Sequence, residues 1–318
     1  MNNEFVGREA CPGCDATTTR EIYRTPYGDA PVKPYLDAFY KGVGKIDHAR
    51  LAGSDFALSA CDDCSLVFQN EIPSGALLEA LYEQMINPGQ AFDAYENSYD
   101  VRFYVQLERH VEKTVRFLNK NPGELKLFDF GMGWGNWCMF VQAFGCETYG
   151  CEISETRAKH AASRGINVVA YDDIASHQFD MINAEQVFEH LARPLETLRY
   201  LVSALKPGGL IWIGVPNGGD IRSRLERDNW TTDKSSAESL NAVAPLEHLN
   251  CFSAKALVRM AECAGCELLE IPHRRLQSSR WAMWRHRVET KMKQLRGPAP
   301  SGDKYEGMTP DLFFRKKA

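Results

Sequence analysis

The chain has 318 residues, of which 44% are hydrophobic and 25% charged, an ordinary composition for a globular protein. This length can bury one large core and carry a smaller module. No stretch approaches the roughly 20 continuous apolar residues that a membrane helix requires, and the first nine residues lack the apolar core of a signal peptide. Ten cysteines in such a chain indicate reduced thiols and metal rather than disulfides, so we expect a cytoplasmic protein.

The net charge of −5 is unevenly distributed. Residues 273–318 hold twelve Lys and Arg against four acidic residues, so the rest of the chain carries −13. A basic stretch of this kind is consistent with nucleic-acid binding, with an anionic substrate, or with a solvated helix. The pI near 6.0 argues against a dedicated nucleic-acid binder. Arg274 and Arg275 are our candidates for contact with an anionic substrate.

Two Cys-x-x-Cys pairs near the N-terminus predict a metal site. The pairs are Cys11 with Cys14 and Cys61 with Cys64, and 46 residues separate them. Two such pairs complete the tetrahedral thiolate set that structural zinc prefers. Residues 66–68 predict a strand of a zinc ribbon, and residues 23–59 an insert within it. We therefore predict a structural Zn²⁺ in an N-terminal module that, with a linker helix, covers residues 1–85.

The next predicted elements lead to a glycine-rich turn. A helix is predicted over residues 105–118, and the apolar run after it ends in Asp129, followed by Gly131, Gly133 and Gly135. Glycine is needed where a turn is tight and a nucleoside lies close to the backbone. The third glycine comes one residue earlier than in a dinucleotide-binding loop, which favours a single nucleoside. The next apolar run ends at Glu152, and an acid there suits hydrogen bonds to ribose hydroxyls.

Further strands follow in order. Residues 167–171 and 179–183 predict two of them, and the turn at residues 205–209 leads into a third at 210–216. A polar insert then runs over residues 217–250. Because open α/β sheets bind ligands in long loops beyond the carboxyl ends of their strands, we interpret this insert as an acceptor-site lid.

The last part of the chain predicts a helix over residues 253–264, N-capped by Ser253, and a strand that starts at Cys266. Cys263 and Cys266 also have Cys-x-x-Cys spacing, but no partner pair lies nearby. We therefore interpret both as small buried hydrophobes. A helix over residues 281–295 and an antiparallel strand over 311–315 complete the prediction.

In these motifs the chain resembles class I S-adenosylmethionine-dependent methyltransferases, above all the branch with ubiquinone-biosynthesis and sugar O-methyltransferases. The resemblance covers about residues 90–318. It implies an α/β fold with a Rossmann-like seven-stranded sheet, mostly parallel with an antiparallel last strand, in a domain at residues 86–318. The N-terminal cysteine pairs resemble the zinc-binding N-terminal segments of some sugar-modifying methyltransferases.

The resemblance also implies which residues bind S-adenosylmethionine. The three glycines line the cofactor, and Glu152 holds its ribose. Asp129 orders the loop or meets the amino-acid end. The other implied contacts are Asp172 or, by a narrow preference, Asp173 together with Ile174 beside adenine, and Glu185 and Gln186 near the methionine moiety. Tyr99 is a further candidate for the methionine end, although we prefer to interpret it as an ordinary packed tyrosine.

Two histidines compete as general base. His248 lies in the insert, where an acceptor hydroxyl would arrive, and the pKa range of histidine suits deprotonation near neutrality. Glu247 beside it is a candidate for orienting its ring. His190 belongs to the segment after the fourth strand, where family members carry a Glu-His pair as part of a helix. We therefore prefer His248 as base and interpret His190 as structural.

The leading functional hypothesis is methyl transfer to the hydroxyl of a small acceptor such as a sugar or an anionic nucleotide-sugar. C-methylation of a keto-sugar is a variant of this hypothesis. A second hypothesis is a nucleic-acid-modifying methyltransferase that binds through the zinc ribbon, although the chain lacks the Asn/Asp-Pro-Pro-aromatic signature of amino-methylating DNA enzymes. A third is a non-catalytic scaffold, against which the intact glycine loop and Glu152 argue.

Overall fold

The computed structural model describes residues 4–86, 101–231, 236, 238–269, 305 and 308–317. They belong to two compact units, each assembled from separate segments of the chain. Unit 1 comprises Met1–Tyr104, Glu185–Tyr200 and Gly214–Gly265. Unit 2 comprises Val105–Ala184, Leu201–Ile213 and Cys266–Ala318.

The first half of the chain contains the following elements. Strands and helices alternate as β1 (Phe5–Gly7), β2 (Thr19–Pro26), α1 (Val32–Phe39), α2 (His48–Leu51), β3 (Asp55–Cys61), β4 (Val67–Gln69), β5 (Glu71–Pro73) and α3 (Gly75–Ala80), which continues into a π-helical turn at Leu81–Met85. After them come α4 (Val101–Leu118), a 3₁₀ turn at Pro122–Glu124, β6 (Lys126–Phe130), α5 (Asn136–Ala143), β7 (Glu147–Cys151) and α6 (Glu155–Ser163).

The second half begins with β8 (Asn167–Val168), a 3₁₀ helix at Tyr171–Ser176, β9 (Phe179–Glu185), a 3₁₀ turn at Phe188–His190, α7 (Pro194–Ser203) and β10 (Leu205–Gly214). It continues with α8 (Ile221–Glu226), a 3₁₀ turn at Asn241–Val243, β11 (Asn250–Cys251), α9 (Ala254–Cys263), β12 (Cys266–Leu268) and β13 (Asp311–Lys316). None of the helices in the described residues is both long and apolar enough to cross a membrane.

Unit 1 is built on an antiparallel sheet whose strand order is β11-β4-β3-β2. The predicted insert between the cysteine pairs is present as α1 and α2. Its apolar side chains, among them Leu36, pack in one core with Phe56 of β3 and with Trp230 from the predicted lid. The rings of Phe56 and Trp230 lie 5.8 Å apart, edge to face. The predicted lid and the N-terminal residues thus share one core.

Unit 2 contains a seven-stranded sheet, within the described residues, in the order β12-β13-β10-β9-β6-β7-β8. The interior strand β6 pairs in parallel with β7 and with β9. At the edge away from β8, strands β12 and β13 pair antiparallel. Strands β6 and β9 are buried along nearly their whole length, because helices cover both faces of a sheet with crossover connections. The predicted Rossmann-like α/β fold is confirmed.

The end of the chain partly confirms the predictions. Ser253 caps α9 by accepting a hydrogen bond from the Ala256 amide, and β13 covers the predicted last strand. Cys266 is buried, but Cys263 is exposed, so its predicted burial is wrong. Cys263 is the last residue of α9, whereas the buried residues of this helix lie between Ala254 and Ala261. The predicted helix at residues 281–295, Tyr99, Arg274 and Arg275 lie outside the described residues.

Candidate functional site

The glycine loop follows β6 in unit 2 and has the backbone that its sequence requires. Gly131, Gly133 and Gly135 have φ values of 75°, 55° and 82°, a region that residues with a side chain rarely adopt. A Cβ on Gly135 would lie 2.5 Å from Ile166 Cδ1, whereas a Cβ on Gly133 would meet nothing within 4 Å. Gly135 is therefore required by packing, and Gly133 borders open space.

Glu152 closes this loop. Its Oε2 atom accepts a hydrogen bond of 3.0 Å from the Gly133 amide, and its Oε1 atom accepts one of 2.8 Å from the Ser154 amide. The acid at the end of β7 therefore lies beside the glycine that faces open space. A carboxylate beside a glycine-rich backbone is the combination of groups found in nucleoside-binding loops.

Asp129 lies beneath the loop. It is 4% exposed, and its Oδ1 atom accepts a hydrogen bond of 2.7 Å from Asn183 Nδ2 on the neighbouring β9. Burial and the nearby Asp129 raise the pKa of the Cys138 thiol, which keeps that thiol protonated. These contacts fit a role for Asp129 in ordering the loop. Sequence reasoning missed Asn183, whose only signal was a polar residue at the end of an apolar strand.

The remaining predicted cofactor contacts differ in exposure. Asp172 and Asp173 are exposed on the 3₁₀ helix of unit 2, whereas Ile174 beside them is fully buried. The burial of Ile174 indicates a packing role in the core. Glu185 and Gln186 belong to unit 1 and are exposed. Gln186 has a φ of 55°, and its amide donates to the Gly214 carbonyl at 2.8 Å.

The four predicted zinc ligands come together in unit 1. Their sulfur atoms all lie within 4.8 Å of one another, with 3.5 Å between Cys11 and Cys64 and 3.6 Å between Cys14 and Cys61. Tetrahedral zinc–sulfur bonds of about 2.3 Å place sulfur atoms about 3.8 Å apart. The group therefore has the ligand type and spacing of a structural zinc site.

The four thiols also affect one another's protonation. The hydrogen bond from Cys64 lowers the pKa of Cys11 to about 6, and burial raises the pKa of Cys14 to about 12. The pKa of Cys64 is raised by its hydrogen bond to Cys11 and by burial. Without a cation, repulsion between thiolates in a buried site prevents them from ionising together, whereas metal binding displaces their protons.

We predict that Cys61→Ser removes most of the zinc and destabilises unit 1. Because metal binding is coupled to folding, the loss should reach roughly 3 kcal/mol or more in the free energy of unfolding. Elemental analysis should find about one zinc per chain in the wild type, and thermal unfolding should give the loss of stability. The exposed Cys263 provides the control, since Cys263→Ser should change neither quantity. The prediction would be contradicted if the wild type contained no metal and Cys61→Ser unfolded at the same temperature as the wild type.

A second polar cluster in unit 1 contains both predicted histidines. The rings of His190 and His248 are 4.9 Å apart, and with Glu189 they form a group whose ligand atoms all lie within 4.8 Å of one another. Such a group could hold a cation. Glu189 is 1% exposed, and burial raises the pKa of its carboxyl to about 8. Sequence reasoning missed Glu189, although its place beside His190 was the available signal.

Both rings have the same tautomer. His190 Nδ1 donates to the carbonyl oxygen of Glu247 at 2.9 Å, and His248 Nδ1 donates to that of Asn241. Because a carbonyl only accepts, Nε2 carries the lone pair in each neutral ring. The side chain of His190 is 32% exposed, while His248 as a whole is 7% exposed. Burial lowers the pKa of His190, so its ring is neutral at pH 7.

The predicted partner of His248 has other contacts. The carboxylate of Glu247 accepts a hydrogen bond of 2.5 Å from the hydroxyl of the buried Tyr40, and its backbone carbonyl accepts the one from His190. Glu247 therefore orients the ring of His190 through its backbone.

Comparison with known proteins identifies the family. A family model described as a methyltransferase domain matches residues 103–271, more than half of the chain. The chain belongs to this methyltransferase family. The match covers the glycine loop, Glu152 and both histidines.

Two curated proteins are similar to part of the chain. They are the ubiquinone biosynthesis O-methyltransferase of Caulobacter vibrioides, 31% identical over 105 residues, and that of Parvibaculum lavamentivorans, 30% identical over 104 residues. The alignments cover 29% and 30% of this chain. In both, the chain spans 41% of the length of the relative.

Solved structures are also similar to part of the chain. The plantazolicin methyltransferase BamL, in complex with a triazolic desmethylPZN analogue and S-adenosylhomocysteine, is 14% identical with a TM-score of 0.49, over 76% of this chain and 94% of BamL. The YcgJ protein from Bacillus subtilis is 12% identical with a TM-score of 0.41, over 66% of this chain and 99% of YcgJ.

Proposed function

We propose that the chain transfers a methyl group from S-adenosylmethionine to an oxygen atom of a small acceptor, with a sugar or nucleotide-sugar hydroxyl as the preferred class. The observation that carries this proposal is the glycine loop, in which Gly133 borders open space beside the Glu152 carboxylate. Membership of the methyltransferase family supports it. The curated relatives are named O-methyltransferases, which supports oxygen as the accepting atom.

The sulfonium of S-adenosylmethionine supplies an electrophilic methyl group, so the chain has to align an acceptor and remove a proton. In our proposal Gly133 leaves room for the nucleoside, and Glu152 accepts hydrogen bonds from the ribose hydroxyls. Asp173 or its neighbour Asp172 accepts from the adenine amino group. Tyr99, Glu185 and Gln186 remain proposed contacts of the methionine moiety.

For the proton we now propose His190 as the general base, in preference to His248. The exposed part of the His190 ring, its neutral form at pH 7 and the lone pair on Nε2 support this assignment. The backbone carbonyl of Glu247 orients the ring. His248 packs against His190 and is better protected from solvent. In our proposal it therefore supports the position of the His190 ring.

In this proposal the four cysteines hold a structural zinc ion, and their side chains take no part in the chemistry. Their sulfur spacing supports the assignment. None of the ten cysteines forms a disulfide, which supports the cytoplasm as the compartment because thiols stay reduced there.

The acceptor class can be tested directly. Incubation of the protein with S-adenosylmethionine and a panel of nucleotide-sugars, catechols and oligonucleotides should give one added methyl group on a nucleotide-sugar, detected by mass spectrometry. Fragmentation separates O-methylation from methylation at carbon. Methylated oligonucleotides, with binding that weakens steeply as salt rises, would instead support the nucleic-acid hypothesis.

The basic C-terminal residues allow a test of whether the acceptor is anionic. Replacing Arg274 and Arg275 together with Gln should raise the KM for the nucleotide-sugar by roughly tenfold, since each exposed charge pair contributes up to about 1 kcal/mol. The affinity for S-adenosylhomocysteine should stay unchanged. An unchanged KM would assign this stretch to a solvated surface.

A further inference from the structure

Arg8 lies three residues before Cys11 and directly after β1, and it contacts two distant parts of unit 1. Its Nη1 atom donates to the Leu249 carbonyl at 3.1 Å and to Asn250 Oδ1 at 3.0 Å. Its Nη2 atom donates to the carbonyls of Leu191 at 3.3 Å and Ala192 at 2.9 Å. One guanidinium therefore joins the residues after His190 to those after His248.

Asn250 adds a second connection between the same segments. Its side chain is buried, and Nδ2 donates to the Phe188 carbonyl at 3.0 Å and to the Leu191 carbonyl at 2.7 Å. With Arg8, it satisfies backbone carbonyls on both sides of His190. The position of the His190 backbone is therefore determined by two side chains that also contact each other.

The strand that follows the second cysteine pair holds the other histidine. Strand β4 begins three residues after Cys64 and pairs with β11, where Phe68 lies opposite Asn250. Gln69 at the end of β4 is fully buried, and its Nε2 atom donates to the His248 carbonyl at 3.1 Å. The backbone amide of Gln69 donates to the Leu249 carbonyl at 3.0 Å. The backbone of His248 is therefore attached to the strand that follows the second cysteine pair.

Arg8 keeps its charge in this position. Burial lowers its pKa to about 10, against which the nearby Cys11 raises it, so the guanidinium is ionised at pH 7. Among the salt bridges of the described residues none includes Arg8, and its four hydrogen-bond acceptors are neutral oxygens. A planar fork with several donors can reach four oxygens from two segments, whereas the ammonium of lysine is a single point with three donors.

We propose that Arg8 is a positioning residue for the His190–His248 pair and connects the geometry of this pair to the N-terminal cysteine module. This proposal rests on the proposed function in one respect, namely that the two histidines serve to remove a proton from the acceptor. It assigns the N-terminal module to the support of the acceptor chemistry, and nucleic-acid binding is not needed to explain why the module is there.

The test compares Arg8→Lys with Arg20→Lys. Arg20 belongs to the same unit and forms an exposed ion pair of 3.1 Å with Asp62, so its replacement is the matched control. Proton–carbon correlation spectra of histidine-labelled protein report the rings directly, and the His190→Gln and His248→Gln spectra assign their signals. Zinc content and S-adenosylhomocysteine affinity are measured in parallel, because neither should change.

In Arg8→Lys we expect the ring signals of both histidines to move and the pKa of His190 to rise toward its ordinary value as its ring becomes better hydrated. The titratable groups that face this ring, Glu189, Glu247 and His248, are present in the variant and in the control. In Arg20→Lys the signals should stay where they are. Ring signals in Arg8→Lys that match those of the control, even with lowered thermal stability, would overturn the proposal.

Two other results have to be considered, namely a variant that does not fold and a wild type that lacks the proposed activity. If Arg8→Lys does not fold, Arg8→Gln, which is shorter and keeps one amide donor, is measured against the same control, and unchanged ring signals would overturn the proposal. If the signals move but the wild type methylates no member of the nucleotide-sugar panel, the proposed function fails while the positioning role of Arg8 stands.

Discussion

We expect His190→Gln to lower turnover by roughly 10²–10⁴-fold, the contribution of a positioned general base, and to leave the affinity for S-adenosylhomocysteine unchanged. Glutamine keeps a polar side chain of similar length but cannot take up a proton. The hydroxyl of a sugar has a pKa far above neutrality, so an acceptor without a base is almost never ionised. Methyl transfer to a nucleotide-sugar, measured at saturating S-adenosylmethionine, gives the turnover.

The pH dependence of turnover provides an independent check. Burial lowers the pKa of His190, so its ring is neutral, and active as a base, above its depressed pKa. Turnover should therefore be constant near pH 7 and fall only as the pH drops below about 6.5, the ordinary value for histidine. In His190→Gln this acidic limb should disappear together with most of the activity.

Two other histidines in unit 1 serve as controls. His48 is partly exposed and lies 2.7 Å from Asp37, so His48→Gln should leave turnover unchanged. His248→Gln should have a smaller effect on turnover than His190→Gln and a larger effect on stability, because His248 is buried. The reverse order, with His248→Gln abolishing turnover in a folded protein, would return the role of base to His248.

We expect Gly133→Val to reduce the affinity for S-adenosylhomocysteine by roughly 100-fold, or about 2.7 kcal/mol. Two effects act together. The valine side chain occupies the open space beside Glu152, and a φ of 55° is strained for a β-branched residue. The strained backbone also carries the amide that binds Glu152 Oε2. Isothermal titration measures the affinity.

Gly208 provides a matched control in the same unit. It has a φ of 70°, and a Cβ there would also meet nothing within 4 Å, but it lies in the turn of β10, away from the predicted cofactor contacts. Gly208→Val should cost similar stability and leave the affinity unchanged. Equal losses of affinity in the two variants would mean that backbone strain accounts for the effect. Tighter binding of NAD than of S-adenosylhomocysteine by the wild type would contradict the assignment of the cofactor.

The parts of the site that were predictable depend on local geometry. Gly131, Gly133 and Gly135 must have positive φ, and Glu152 must end the next strand, because parallel strands bring their carboxyl ends to the same edge of a sheet. The cysteine pairs were predictable for a similar reason, since two residues between cysteines allow both sulfur atoms to reach one ion. The partial exposure of His190 and the burial of His248, on which our proposed base depends, were not predictable. The exposure of a side chain depends on neighbours that are far along the chain.

The sequence by itself determined the fold class, the loop of unit 2 and the four-cysteine group, each through residues that are close along the chain or repeat with the period of a strand or a helix. Only the tertiary structure decided that the insert of residues 217–250 shares a core with the N-terminal strands, that Ile174 is buried, and that Arg8 joins the segments of His190 and His248. The contacts of Arg8 span about 180 to 240 positions. No local pattern specifies such partners, because hydrogen bonds to backbone carbonyls place no demand on the side chains of the residues that accept them.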